Sequence, residues 1–127
     1  MIDALFSQPD YVAAKKMLDA TILRHEAIAS NLANLETPNY QRIDVSPSFT
    51  NELREAIASG DTGKIRSLQP KLEVDANAVA SNRDGNTVQL ETELMNLQQN
   101  FLQHGMETHL ITYNLLRLRS AITGQPQ

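Results

Sequence analysis

Few residues in this 127-residue chain are of a type and spacing that does chemistry. His25, His104 and His109 are its only histidines. His104 and His109 stand five positions apart, whereas two metal ligands on one helical face need a spacing of about four. Gly60-Asp61-Thr62-Gly63-Lys64 has the glycines and lysine of a phosphate loop, but neither its preceding strand nor its full spacing. Asp84-Gly85-Asn86 lacks the repeated acidic positions of a calcium loop. Glu91, Glu93 and Glu107 fall on a helical stretch and read as a solvated face. Cysteine is absent, which removes thiol catalysis, disulfides and Cys-zinc sites together. The expectation is no catalytic, cofactor or metal site. A net charge of −4 with scattered Lys and Arg gives no case for nucleic acid or an anionic membrane surface.

The informative chemistry is that of contact. Residues 29–42 read ASNLANLETPNYQR. Asn31 and Asn34, three apart on neighbouring parts of one helical face, sit among Leu32, Ala33 and Leu35. Amides beside an apolar seam cost stability but fix register, because a misaligned neighbour leaves them unpaired. Two readings follow: a register-setting contact between subunits, or an Asn34 that frays the helix end with Asn31 solvated. Pro38 disfavours helix at Thr37, so the helix should finish near Leu35 or Glu36. Pro38 then sets the first corner of a turn. Asn39 supplies the second, where a positive φ is needed, and Tyr40 follows as an amphipathic anchor.

These residues need elements to hold them. Leu18, Ile22, Ala29 and Leu32 follow helical spacing and predict a helix from about Tyr11 to Glu36, with Asp10 as its N-cap. Phe49, Leu53 and Ile57 predict a short helix from Pro47 to Ser59, entered at Ser46-Pro47 and stopped by Gly60. Gly60 to Gly63 reads as a loop, and Leu72-Glu73-Val74-Asp75 alternates as a short strand would. The clearest pattern is Leu90, Leu94, Leu97, Phe101, His104, Thr108, Ile111, Leu115, Leu118 and Ile122, which alternates steps of three and four. It is a heptad seam on a helix from about 88 to 122, started by an Asn86/Gln89 capping box and ended by Gly124 and Pro126. A second stripe runs beside it through Met95, Leu102, Met106, Leu110, Tyr113 and Leu116.

A helix of that length spans roughly 50 Å, more than the roughly 35–40 Å of a compact domain this size. The fold expected is mainly α: long N- and C-terminal helices packed as an elongated antiparallel coiled-coil hairpin, Leu18, Ile22 and Leu32 on one side of its seam. Residues 1–42 and 87–127 would form that helical core. Residues 43–86 would be a small irregular outward-facing segment with a short helix and short strands. Two helices bury only one seam, so the second stripe asks for self-assembly or another partner. The opening MIDALFSQPDYV has no basic start and no unbroken apolar run, and no stretch approaches the roughly 18 apolar residues of a membrane span. The expectation is a cytosolic protein, or one exported without a cleaved leader.

Asn31-Leu32-Ala33-Asn34 followed by Thr37-Pro38-Asn39-Tyr40 resembles the N-terminal signature of bacterial flagellar axial proteins, with Leu32 where the family has Ile and Asn39 where it has Gly. Asp84 to Glu93 and the ending Ser120-Ala121-Ile122-Thr123-Gly124 narrow the resemblance to the basal-body rod proteins of the proximal end. The resemblance implies a structural subunit of the proximal rod, exported unfolded by the flagellar type III apparatus. It would polymerise in the periplasmic space between MS-ring and distal rod. It also implies partners: further copies, FlgC- and FlgF-like rod proteins, the adaptor FliE, the MS-ring and the export gate. A small helical adaptor or chaperone-like protein, binding one partner through the exposed stripe, would share the helices but not the Asn-Leu-Ala-Asn to Thr-Pro-Asn-Tyr connection.

Overall fold

The computed structural model describes residues 8–81 and 83–124. The opening residues 1–7 and the helix stop read at Pro126 lie outside these. The protein is mainly helical, in the order α1 (Pro9–Ala33), β1 (Ile43–Val45), α2 (Pro47–Ser59), α3 (Thr62–Ser67), β2 (Leu72–Val74) and α4 (Leu90–Thr123). The 34 residues of α4 make a rod of roughly 51 Å at 1.5 Å per residue. It lies along α1 in the opposite direction: Asn31 meets Glu93, Thr21 meets Glu107, and Tyr11 and Leu118 line one cleft.

The other side of α1 carries the apolar core. Val12 and Ala13 of α1 pack with Val45, with Phe49, Leu53 and Ala56 of α2, and with Ile65 of α3, while Ala20, Leu23, Leu68 and Leu72 close the edges. Residues 43–72 therefore supply most of the buried residues of this core cluster, and α1 is sandwiched between them and α4. The strands form a two-stranded antiparallel ribbon, Ile43 opposite Val74 and Val45 opposite Leu72.

Helix ends show where local chemistry prevailed. Helix α2 has Pro47 in its first turn and Gly60 in the left-handed region at φ 68°, as the sequence asks. Helix α3 falls where a loop was expected. Asp61 starts it by accepting a hydrogen bond from the Lys64 amide at 3.1 Å, and this cap suffices for six residues packed through Ile65. Helix α1 begins at Pro9 with Gln8 as N-cap, so Asp10 lies in its first turn, beside the positive end of the helix dipole. The expected capping box is corrected too. Helix α4 begins at Leu90, because Asn86 turns away to another task.

The turn after α1 follows the residue types. Tyr40 N–H donates to Thr37 O at 3.3 Å, and Asn39 is the one described non-glycine residue with positive φ, 60°. Asn39→Gly should fold as well as wild type. Asn39→Val should lower stability by about 1–2 kcal/mol, since a β-branched side chain resists that conformation. Thermal melts of the two variants check this, and equal melting would remove the backbone argument.

Candidate functional site

The contact between α1 and α4 is polar along its centre. Glu93, Asn100 and Glu107, the three buried side chains of α4, stand at intervals of seven and all face α1. The sequence placed Glu93 and Glu107 on a solvated face; the structure corrects both, leaving Glu91 exposed. The apolar repeat of α4 divides around this stripe. Leu97, His104, Ile111 and Leu118 are half-buried beside it. Leu90, Leu94, Phe101, Leu115 and Ile122 are exposed, Phe101 to 75%. On α1, Leu18 and Leu32 are half-buried and Ile22 is exposed.

At the proximal end of the seam a charged network joins three elements. Arg42 is buried. Its Nε donates to Glu93 Oε1, and its Nη1 donates to Asp44 Oδ2 at 3.1 Å and to Asp75 Oδ2 at 2.8 Å. Burial works against the guanidinium charge, but the Glu93 hydrogen bond and the nearby carboxylates outweigh it and raise the Arg42 pKa. Glu93 is fully buried, and its Oε2 also accepts from Asn31 Nδ2 at 3.4 Å.

Asn31 is fully buried, not solvated. Its amide pairs with the open edge of β1 as another strand would: Nδ2 donates to Ile43 O at 2.9 Å and Oδ1 accepts from Ile43 N–H at 3.0 Å. Both polar atoms are thus engaged inside the chain. Asn34 is the C-cap of α1. Its Nδ2 donates to Ser30 O at 2.8 Å, and its Oδ1 accepts from Thr37 Oγ1 at 3.1 Å. The Tyr40 hydroxyl lies 3.0 Å from Ser30 Oγ. Of the rest of the motif, Leu32 is half-buried, whereas Ala33, Thr37, Pro38 and Asn39 are exposed.

Asn86, fully buried, closes the end of α1 from outside. Its Nδ2 donates to Asn34 O at 2.8 Å, Leu35 O at 3.1 Å and Thr37 O at 2.8 Å, and its Oδ1 accepts from Val88 N–H at 2.8 Å. Residues 84–87 then run along 39–42, with Asn39 N–H on Asp84 O at 2.8 Å and Thr87 N–H on Tyr40 O at 3.0 Å. Gly85 is needed here: at φ 77° any Cβ would come within 2.6 Å of Asn39 Oδ1. The motif and the segment before α4, quoted apart in the sequence, are one structural unit. Arg42 and Asn100 were given no role in the sequence reading, and Asn86 and Glu93 were given other ones, a helix cap and a solvated face. The available signal was polar residues recurring every seven positions at 86, 93, 100 and 107.

Further along the seam, Glu107 is buried. It accepts from Gln103 Nε2 at 2.9 Å and from Thr21 Oγ1 at 3.2 Å. Burial raises its pKa, with those two bonds, His104 and Arg24 offsetting part of the effect. A raised folded pKa means stability that is complete below the unfolded value near 4.5 and lost as pH rises through the folded one. At neutral pH the burial of the Glu107 carboxyl is therefore a cost. Glu107→Gln should melt about 2–5 °C above wild type at pH 7, and this gain should vanish near pH 4. A gain unchanged by pH would mean that packing, not charge, is responsible.

Among the described residues no group of three or more His, Cys, Asp or Glu is arranged to hold a metal ion, and no helix is long and apolar enough to cross a membrane. What stands out is a long helix pair, locked by polar contacts within and carrying apolar side chains on its outside. These features define a class: a helical subunit shaped for contact with other proteins. Three curated relatives are each named flagellar basal body rod protein FlgB. The Cereibacter sphaeroides protein is 31% identical over 113 residues, covering 80% of this chain and 84% of its own. The Aquifex aeolicus protein is 32% identical over 101 residues, 76% and 77% of the two chains. The Salmonella typhimurium protein is 27% identical over 126 residues, 87% and 90% of the two. No protein-family model matches the chain. The chain belongs to the FlgB family of flagellar basal body rod proteins.

Proposed function

We propose that this chain is a structural subunit of the proximal rod, linking the MS-ring and export gate to the distal rod and transmitting torque through it. The observation that carries the reading is the inverted character of α4 in a member of the FlgB family: its polar stripe faces α1 and its large apolar side chains face out. Such a helix is stable alone only at the expense of exposed apolar surface, and assembly covers that surface. In the rod, α1 and α4 act as a coiled-coil hairpin with Asn31 to Tyr40 setting the geometry at its proximal end. The neighbours are further copies, FlgC- and FlgF-like rod proteins, FliE, the MS-ring and the export gate, and the site is the periplasmic part of the basal body. A small adaptor needs one apolar face, and α4 has two.

The test is complementation. Leu115 is 43% exposed, so Leu115→Asp should fold normally by circular dichroism. It should still fail to restore motility to a strain lacking its own rod subunit, where the wild-type chain succeeds. Motility restored equally by both would refute an assembly role for this face, and no restoration by the wild type would refute the rod reading.

A further inference from the structure

Thr21, buried on the seam between α1 and α4, has more acceptors around its hydroxyl than one hydrogen can serve. Its Oγ1 lies 2.8 Å from Leu18 O, 3.2 Å from Glu107 Oε2 and 3.3 Å from His104 Nδ1. A hydroxyl donates once and accepts twice. The shortest contact, to the Leu18 carbonyl, can only be a donation, because a carbonyl has no hydrogen to return. Glu107 Oε2 and His104 Nδ1 are then both matched only if each brings a hydrogen to Thr21. The other oxygen of the carboxyl fits that state: Oε1 accepts from Gln103 Nε2 at 2.9 Å, as the carbonyl oxygen of a neutral acid would. Glu107 also differs from Glu93, the other buried carboxyl of α4. Glu93 has Arg42 bonded to it, whereas among the described residues no ion pair reaches Glu107. Arg24 of α1 and His104 of α4 are the charged groups that face it, and Arg24 is held by Asp44 at 3.1 Å. His109 and Tyr113 share its groove, and Arg54 of α2 lines the neighbouring cleft with Arg24 and Gln103.

We propose that Glu107, Thr21 and His104 are a proton-operated latch on the hairpin: with a proton on Glu107 Oε2 the three side chains hold α4 to α1, and loss of that proton frees α4 beyond Glu107. In the closed latch, Oε2–H and His104 Nδ1–H donate to Thr21 Oγ1, and Thr21 donates to Leu18 O. In the open one, a carboxylate and the Leu18 carbonyl compete for a single hydrogen, and no cation is bonded to the carboxylate. The consequence is confined to one end of the hairpin because Glu107 is the last buried side chain of α4. After it, Ile111, Asn114 and Leu118 are only half-buried. On α1, by contrast, Val12 and Ala13 are fixed in the core with α2 and α3, so α4 is the helix that moves. Opening bares Ile111 and Leu118 beside Leu115 and Ile122, which are exposed already, and pH therefore sets how much apolar surface this end offers. Burial raises the Glu107 pKa, so the change falls above the ordinary glutamate range. The latch is closed on the acid side and opens as pH rises through the folded value. None of this depends on the rod reading.

The experiment follows the full chain by NMR from about pH 4 to about pH 9, a range that spans carboxyl and imidazole titration. The carboxyl carbon of Glu107 reports its protonation. Amide protection, corrected for the pH dependence of exchange itself, reports local opening. Glu107 should titrate above 4.5. Protection over residues 108–123 should fall about fivefold with the same midpoint, the worth of one hydrogen bond, while protection around Glu93 and Asn100 holds. Glu107→Gln, whose amide supplies the hydrogen at every pH, should keep the closed-state protection throughout. His104→Gln should retain the step, since the operating proton is on the carboxyl. Titration of Glu107 at or below 4.5 overturns the proposal. So does protection over residues 108–123 that ignores pH, or a step that survives in Glu107→Gln. A step abolished by His104→Gln overturns it as well and assigns the proton to the imidazole. Protection lost evenly from residue 93 to 123 overturns it too, because the whole seam and not its end would be responding.

Discussion

Arg42→Met is expected to lower the stability of the folded chain by about 3–5 kcal/mol, enough to consume much of the margin of a domain this size. The magnitude comes from what is left behind rather than from what is lost. Arg42 is the cation beside fully buried Glu93 and also binds Asp44 and Asp75. Without it, Glu93 is a buried carboxylate whose remaining donor is Asn31 at 3.4 Å, and Asp44 and Asp75 lose the charge between them. A buried ion pair is not strongly stabilising compared with apolar residues of the same size, but breaking one half of it is costly. The double variant Arg42→Met/Glu93→Leu should therefore recover at least half of the loss. Urea denaturation of wild type, the two single variants and the double variant closes the cycle. Additive losses would mean that Arg42 and Glu93 act independently, and that the network is not the clasp joining β1 to α4.

That clasp shows where the sequence was legible and where it was not. Helix α2 could be read because its signals are local: Ser46-Pro47 at the start, Gly60 at the end, and Phe49 and Leu53 on the inward face. The extent of α4 could be read because steps of three and four run from Leu90 to Ile122, apolar except at His104 and Thr108. Which face of α4 turns inward could not, since an apolar period has the same phase whether its partner is the chain's own helix or another subunit. The stripe that meets α1 is the polar one, and carboxylates such as Glu93 and Glu107 look like solvent-facing residues until their donors are known. Those donors, Arg42 and Thr21, lie 51 and 86 positions away. Asn31 was recognisable as an amide that sets register, yet its partner, the backbone of Ile43, is a strand edge of only three residues with no strong pattern of its own. The positive φ at Asn39 was legible because Pro38 and the turn geometry force it locally.

The same distinction between local signal and distant partner bears on Asn86. Helix α1 ends without a basic residue in its last turn, so no charge within the helix answers the negative end of its dipole, while Asn34 covers the carbonyls of Ser30, Asn31 and Leu32. Asn86 holds the carbonyls that follow, those of Asn34, Leu35 and Thr37, with one side chain from the segment before α4. Its two Nδ2 hydrogens serve three carbonyls, and its Oδ1 holds the Val88 amide. Asn86→Ala removes these bonds, leaving Asn34 O to Thr37 N–H and Thr37 O to Tyr40 N–H, and should cost about 2–4 kcal/mol, at about 1 kcal/mol for each bond lost. Asn86→Asp separates shape from donation. It has the same outline and keeps the acceptor for Val88, but it turns a carboxylate oxygen toward the three carbonyls at the negative end of the helix. It should cost at least as much as alanine at pH 7, and part of that cost should return as the carboxylate protonates below about pH 4. Chemical denaturation at both pH values measures the difference, and amide exchange at Leu35 and Tyr40 shows whether the loss begins at the end of α1. An aspartate that behaves like asparagine at pH 7 would mean that the pocket needs only the shape of residue 86. The joint between the Asn31–Tyr40 motif and α4 would then be held by backbone pairing of residues 39–42 with 84–87 alone.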